Sequence, residues 1–316
     1  MAQHSWTYDA PSGVYKNHAL SSDIRLASIA MTKFMQFSKP VDNFGSGKGS
    51  NTTITRVSNV SVPTDDSLVE AERIPEDTLS LSTQAIAVTE RGRAIPYTSL
   101  SLQLAHFDLE NVIQKKLRDQ LSLRLDQLAS TAFKVGQVKA IPDGIASLTM
   151  DTDGTASTTA ASNINVYHVE QLRDQLYSTY NVMPYAGDDY MCVISTKGRR
   201  GIVRDPNWEK WKTYGNPEAK FNGEIGRIEG IRFIESNNTN ALSGSLGASS
   251  VLGEAVVFGD DPIAMASVID PELRAKESED YGRSKGVAWY GVYGIDMIWK
   301  DSATAGEARV IHVTSA

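Results

Sequence analysis

The chain has 316 residues, 41% of them hydrophobic and 22% charged, so it can bury a sizeable core and divide into two or more units. A net charge of -7 and a pI near 5.3 argue against a protein that grips nucleic acid backbone, which needs clustered Lys and Arg. The single cysteine, Cys192 in the apolar run YMCVIS, excludes a disulfide framework within the chain and reads as a small buried hydrophobe.

The start, MAQHSWTYDAPSG, lacks the basic and then apolar order of a secretory signal, and residues 1–22 show neither helical nor strand period, so they read as an arm lying on something else. The spacing predicts a helix over Ser22–Phe37. Arg25, Thr32, Lys33 and Gln36 interrupt it too often for a bilayer span, which points to a soluble protein. Val41–Ser50 is a break. Asn51–Thr98 carries no helical stripe. TTITRVSNVSV reads as one strand and QAIAVTERGRAIPYT as its partner, with a bend at Gly92. Between them, Pro63–Thr78 sets Asp65, Asp66, Glu70, Glu72, Glu76 and Asp77 against Arg73 alone. Such a hairpin has little core of its own and needs support from outside its domain.

From Asp108 to Gly136, Leu109, Ile113, Leu117, Leu121, Leu125, Leu128 and Ala132 recur at steps of four and three, on one stripe of a helix about 40 Å long. Asp108 is the expected cap and Gly136 the expected left-handed exit. Gln114, Lys115, Arg118, Asp119, Ser122 and Asp126 form an expected polar face. Gln137–Ile145 resumes strand, Leu148–Ser162 is a loop, and Asn165–Tyr180 is a second amphipathic helix. YMCVIS is a buried strand feeding a helical turn through Val203, stopped by Pro206. Trp208–Gly223 is aromatic and irregular, with Lys210, Lys212 and Lys220. Glycines precede the strand IRFIES, and Asn237–Ser250 is a polar loop. Strands EAVVFG, PIAMASV, GVAWYGVYGIDMIWK and EARVIHVT close the chain; glycines among the aromatics of the third predict bending and close backbone packing.

Motifs for chemistry fail their patterns. GSGKGS lacks the Ser or Thr and the preceding strand of a phosphate loop, and GEIGRIEG has its strand after the glycines rather than before. His4, His18, His106, His168 and His312 show no ligand spacing, so no metal is expected. The pairs Asp65 and Asp66, Asp188 and Asp189, and Asp260 and Asp261 fall in turns or on the hairpin tip, where solvation is expected. A hydrolase using Asp188 or His168 finds no nucleophile and base paired by spacing. Lys197, Arg199, Arg200 and Arg204 cluster around one helical turn and could anchor a neighbour's carboxylates.

This order of parts resembles the major capsid proteins of tailed bacteriophages, an α+β fold of the Hong Kong 97-like type, in a version similar to the capsid proteins of phage N-four-like viruses. YMCVISTKGRRGIVRDP is similar to the family's axial strand and helix, GEIGRIEGIRFIES to its Gly-x-(Ile or Val)-x-Gly turn and axial strand, and EAVVFGDDPIAMASV with GRSKGVAWYGVYGIDMI to its final strands. The resemblance divides the chain into an N-terminal arm with a short helix (1–43), an extended hairpin loop (44–98) and a peripheral domain with the spine helix (99–147). An axial domain (148–250) follows, then strands returning to both sheets (251–316).

The resemblance implies a non-enzymatic, cofactor-free protein that self-assembles as pentamers and hexamers into an icosahedral shell around double-stranded DNA. It implies a virion component assembled in the host cytoplasm, with DNA nearby but not specifically bound and no membrane. Scaffolding, portal and decoration proteins are the further partners it admits, scaffolding as a separate protein. An encapsulin-like nanocompartment of the same fold is the second reading. Asp65, Asp66, Glu70, Glu72 and Arg73 on the hairpin, and Arg199, Arg200 and Arg204, are the intersubunit candidates, the acids meeting the Arg199 and Arg200 cluster of an adjacent subunit. No lysine lies between Lys48 and Lys115, so the hairpin lacks the nucleophile for an isopeptide bond and noncovalent assembly is expected.

Overall fold

A computed structural model of the chain describes residues 28–41, 47, 49–68, 70, 73–105, 107–206, 208, 226–277 and 279–316. The arm, most of the GSGKGS run, Glu72, His106 and nearly all of Trp208–Gly223 lie outside the described residues.

The strands are β1 (Ser38–Pro40), β2 (Asn51–Val57), β3 (Leu81–Ala87), β4 (Thr89–Thr98), β5 (Lys139–Gly144), β6 (Ser147–Asp151), β7 (Tyr190–Ser195), β8 (Arg227–Ile228), β9 (Ile231–Ser236), β10 (Ala255–Phe258), β11 (Ile263–Ala275), β12 (Ser284–Met297) and β13 (Val310–Val313). The helices are α1 (Ser99–Leu104), α2 (Leu109–Lys134), α3 (Val166–Asp174) and α4 (Thr196–Val203). One sheet has seven strands in the order β6-β5-β13-β10-β7-β9-β8, a second has four in the order β1-β11-β12-β4, and β2 and β3 form a separate antiparallel ribbon. The expected range 99–147 therefore ends inside the seven-stranded sheet, where β5 and β6 pair, and the expected loop Leu148–Ser162 begins as strand.

Alternation along the central strands of the larger sheet separates two cores. Cys192, Ile194, Ala255, Val257, Ile311 and Val313 face α3, whose Val169 and Leu172, continued by Leu176 in the π turn Gln175–Thr179, lie on the expected stripe. Val193, Val256, Phe258 and Val310 face the other way, onto Ala129, Ala132 and Phe133 of α2. The first half of α2 instead covers the four-stranded sheet, with Ile113 and Leu117 packed on Val287 and Trp289. One helix thus roofs both sheets, and its 26 residues, about 39 Å, are the length this requires.

Four expectations change. The helix expected over Ser22–Phe37 is absent from its described part: residues 28–34 have no regular structure and only Met35–Phe37 form a 3-10 turn. Tertiary contacts override propensity there. Phe34 and Phe37 are buried against Phe133 and Phe258 (ring centroids 5.6 and 4.8 Å), while Met31 is 63% exposed. Asp126, expected on the polar face of α2, is fully buried; its carboxylate accepts the Lys33 and Phe34 amides at 2.7 and 2.8 Å and the Asn238 side-chain amide at 2.9 Å. Gly136 does not exit left-handed but stands where a Cβ would meet the Met297 thioether at 3.1 Å.

The strand expected over residues 84–98 is two strands. It breaks at Val88, not Gly92: β3 pairs with β2, and β4 pairs with β12 across its whole length. The bend belongs at Val88 because Ala87 and Thr89 serve different sheets. The expected close packing of the glycines in β12 is realised at Gly294, where a Cβ would lie 2.1 Å from the Ala87 carbonyl oxygen. Irregular register falls on the facing strand β11, between Ser267 and Glu272. No helix among the described residues is long and apolar enough to cross a membrane.

Removing the Asp126 carboxylate strands three donors, two of them backbone amides. Asp126→Ala is expected to lose on the order of 3 kcal/mol of stability, read as a lower urea midpoint, with Asp126→Asn losing less because it keeps one acceptor oxygen. An unchanged midpoint would refute this pin.

Candidate assembly surfaces

The ribbon is supported at its root by residues 264–309 of the same chain, which lie outside the hairpin region. Its strands expose one face and bury the other, as their alternating pattern dictates. Ile86 is buried with Ala264, Ala266 and Ile298. Arg56 donates to the Ile298 carbonyl at 3.0 Å and lies over the Trp299 ring at 5.3 Å, and Arg309 stands over the same ring at 5.7 Å. Ser58 bonds Glu307 and Asn59 lies against Gly306, and beyond them the support thins. Residues 58–80 hold no helix or strand among those described, and Val62 (90% exposed), Leu68, Ile74 and Leu79 are largely exposed. A second open apolar surface is formed by Leu100, Leu104 and Phe107 around α1, which is held by a reciprocal cap between Thr98 and Ser101.

The hairpin acids sit in this open loop. Asp65, Asp66, Glu70 and Arg73 are exposed, and Arg73 pairs with Glu76. Asp65 accepts the Ser67 amide and hydroxyl at 2.9 and 2.6 Å, which holds its carboxyl below the usual carboxylate range. Glu72 lies outside the described residues. The basic candidates are on α4, positioned by the Ser195 cap and by Gly201, whose Cβ would lie 2.4 Å from the Ile164 carbonyl. Arg200 and Arg204 are exposed and line a cleft of about 940 Å³ with Asn163, Asn237 and Thr239. Arg199 turns away to its own Glu235, at 3.4 Å. Among the described residues no ion pair joins the hairpin acids to these arginines.

Sequence reasoning missed two buried polar sites. Asp189, expected to be solvated, is 2% exposed and clasped by Arg227 and Arg232 at 2.7 and 2.5 Å. The arginines arrive because Glu229 and Gly230, with φ of 46° and 77°, make a tight turn that stacks β8 on β9. The second site joins α2, β5, β13 and the residue before β10. Glu254 bonds His312 Nε2 at 2.6 Å, Lys134 at 2.8 Å and the Ser243 amide at 2.6 Å, while Lys139 reaches His312 Nδ1 at 3.3 Å and the Lys134 carbonyl at 2.5 Å.

Burial pushes the His312 imidazole below its ordinary pKa, more than the Glu254 bond lifts it. It is therefore neutral, with Nε2 donating to Glu254 and Nδ1 accepting from Lys139. Burial alone would raise Glu254, but the His312 bond and the Lys134 cation draw it down to about 2. This cluster fastens strands and does not open on a cleft. His168 is likewise structural: fully buried, it accepts the Asn165 amide and donates to the Gly144 carbonyl at 2.9 Å. Burial pushes the Cys192 thiol far up. No group of three or more His, Cys, Asp or Glu among the described residues could hold a metal ion.

No family model and no curated protein matches the chain. Solved structures do. The cyanophage Pam1 capsid asymmetric unit matches with a TM-score of 0.73 at 12% identity, over 100% of both chains. The acid-stable capsid of Helicobacter pylori bacteriophage KHP30 matches at 0.70 and 10% identity over 99% of each chain. The capsid of Ralstonia phage GP4 matches at 0.65 and 16% identity over 99% of this chain and 98% of that one. The chain has the fold of phage capsid subunits, α+β as the resemblance implied.

Both partners in the Glu254 and His312 bond titrate below their ordinary values of 4.5 and 6.5, so the unfolded chain binds protons the folded chain refuses. Acid therefore destabilises. Stability is expected to be unaffected by His312 above pH 6.5, to fall as pH drops below it, and to fall further below pH 4.5, with a slope of at most about 1.4 kcal/mol per pH unit for each group. Urea midpoints from pH 8 to pH 4 check this, and His312→Asn should flatten the upper part of the curve.

Proposed function

We propose that this chain is a major capsid protein whose copies assemble, as pentamers and hexamers, into an icosahedral shell that encloses phage double-stranded DNA. The observation that carries the reading is the ribbon's outer half, where Val62, Leu68, Ile74 and Leu79 stand exposed beside Asp65, Asp66 and Glu70, uncovered among the described residues. A loop of that composition costs free energy in an isolated subunit and is explained by a neighbour that covers it. Full-length likeness to three phage capsid subunits supports the same conclusion and favours it over a cellular nanocompartment. Each subunit lies on several others, and contacts that are weak one at a time hold when made together. The shell is a virion component built in the host cytoplasm, with scaffolding and portal proteins as partners of its assembly and DNA beside an acidic subunit that does not bind it specifically.

Assembly is noncovalent, because the hairpin region between Lys48 and Lys115 offers no lysine. Expressed protein, alone or with its scaffolding protein, is expected to give closed particles in negative-stain images. Boiled in denaturant, those particles should run as a single band near 34.4 kDa. A ladder would refute noncovalent assembly, and a protein that stays monomeric at high concentration under both conditions would refute the shell.

A further inference from the structure

A cleft of about 660 Å³ between β4 and the middle of α2 gathers three guanidiniums, those of Arg91, Arg93 and Arg124. Two-residue spacing puts Arg91 and Arg93 on one face of β4, paired with Gly291 and Trp289 of β12. Glu90 is the one carboxylate lining the cleft among the described residues, and the Tyr290 hydroxyl bonds to it. Two donors have no acceptor: Arg91 Nε, in the lining, and the hydroxyl of the adjacent Tyr293, which is not part of the lining, are both shut from solvent and unpartnered among the described residues. The Arg91 guanidinium lies over the Tyr293 ring at 5.8 Å, so the two orphaned groups are neighbours. Buried donors without acceptors are rare in folded proteins, and here they sit beside surplus positive charge. An anion with several oxygens would suit this concentration of guanidiniums.

We infer that this cleft receives the acidic loop, residues 63–77, of a second copy of the chain. The inference rests on the shell reading and names the receptor within it. Charge complementarity selects the occupant. The loop carries Asp65, Asp66, Glu70, Glu72, Glu76 and Asp77 against Arg73, and Arg73 is already occupied by Glu76. Planar guanidiniums take carboxylates two oxygens at a time, which suits paired acids such as Asp65 and Asp66. The α4 cleft is the weaker receptor: Arg199 is paired within its own chain, and among the described residues lining it no shielded donor lacks a partner.

Charge exchange in the full chain tests the pairing. Arg91→Glu with Arg124→Glu is expected to cut particle yield at least tenfold, and Asp65→Arg with Asp66→Arg to do the same. All four changes together should restore yield to within about threefold of wild type. Arg93→Glu alters an exposed side chain that a folded subunit tolerates; it should lower yield severalfold with an unchanged circular dichroism spectrum, so a misfolded double variant does not decide the matter. Wild-type yield from the folded cleft variants overturns the inference while leaving the shell intact. So does rescue of the acid reversal by Arg200→Glu with Arg204→Glu. Wild-type protein that forms no particles overturns the shell reading and this inference with it.

Discussion

Everything in the subunit depends on α2 lying across two sheets at once. A helix covering one sheet needs one apolar stripe. This one changes the side it buries along its length, from Ile113 and Leu117 over the four-stranded sheet to Ala129, Ala132 and Phe133 under the seven-stranded one. The other connections between the sheets, 259–262 and 298–309, hold no helix or strand, so the helix is the continuous rigid element joining them. The rise of 1.5 Å per residue makes its length a consequence of the distance to be covered. The buried Asp126 carboxylate then ties a third party to the same helix, the segment leading into β1.

Much of this was legible in the sequence because it is periodic. Leucine spacing marked α2, the cap at Asp108 marked its start, and the apolar runs of β7, β10, β12 and β13 were read as strands. Period alone could not say which sheet a strand joins. Residues 84–98 carry no Gly or Pro before Gly92, yet the chain changes partners at Val88, a fact held in the contacts of Ile86 and Gly294 and not in local propensity. Asp126 was misread for a related reason. It occupies a polar position on the helical wheel, and only the arrival of residues 33 and 34, far away in sequence, turns that position into the interior.

The candidate surfaces were half legible. Composition marked the acidic loop, since carboxylates without cations or core residues have few other uses. The basic side was harder. Lys197, Arg199, Arg200 and Arg204 are adjacent in sequence and so draw attention, but Arg199 is satisfied at home. Arg91, Arg93 and Arg124 come from a strand and a helix brought together only by folding. Their spacing of two was visible, the third member was not, and the orphaned Tyr293 hydroxyl leaves no trace in sequence.

The ribbon meets the body at Arg56, whose guanidinium lies over the Trp299 ring that Arg309 also covers. The ribbon is a lever pivoted at its root, and a tilt of a few degrees there sweeps the distant tip through several ångströms. A pivot made of flat rings and guanidinium planes slides more readily than interlocked aliphatic side chains, so a small change of tilt there disturbs little of the packing beneath it.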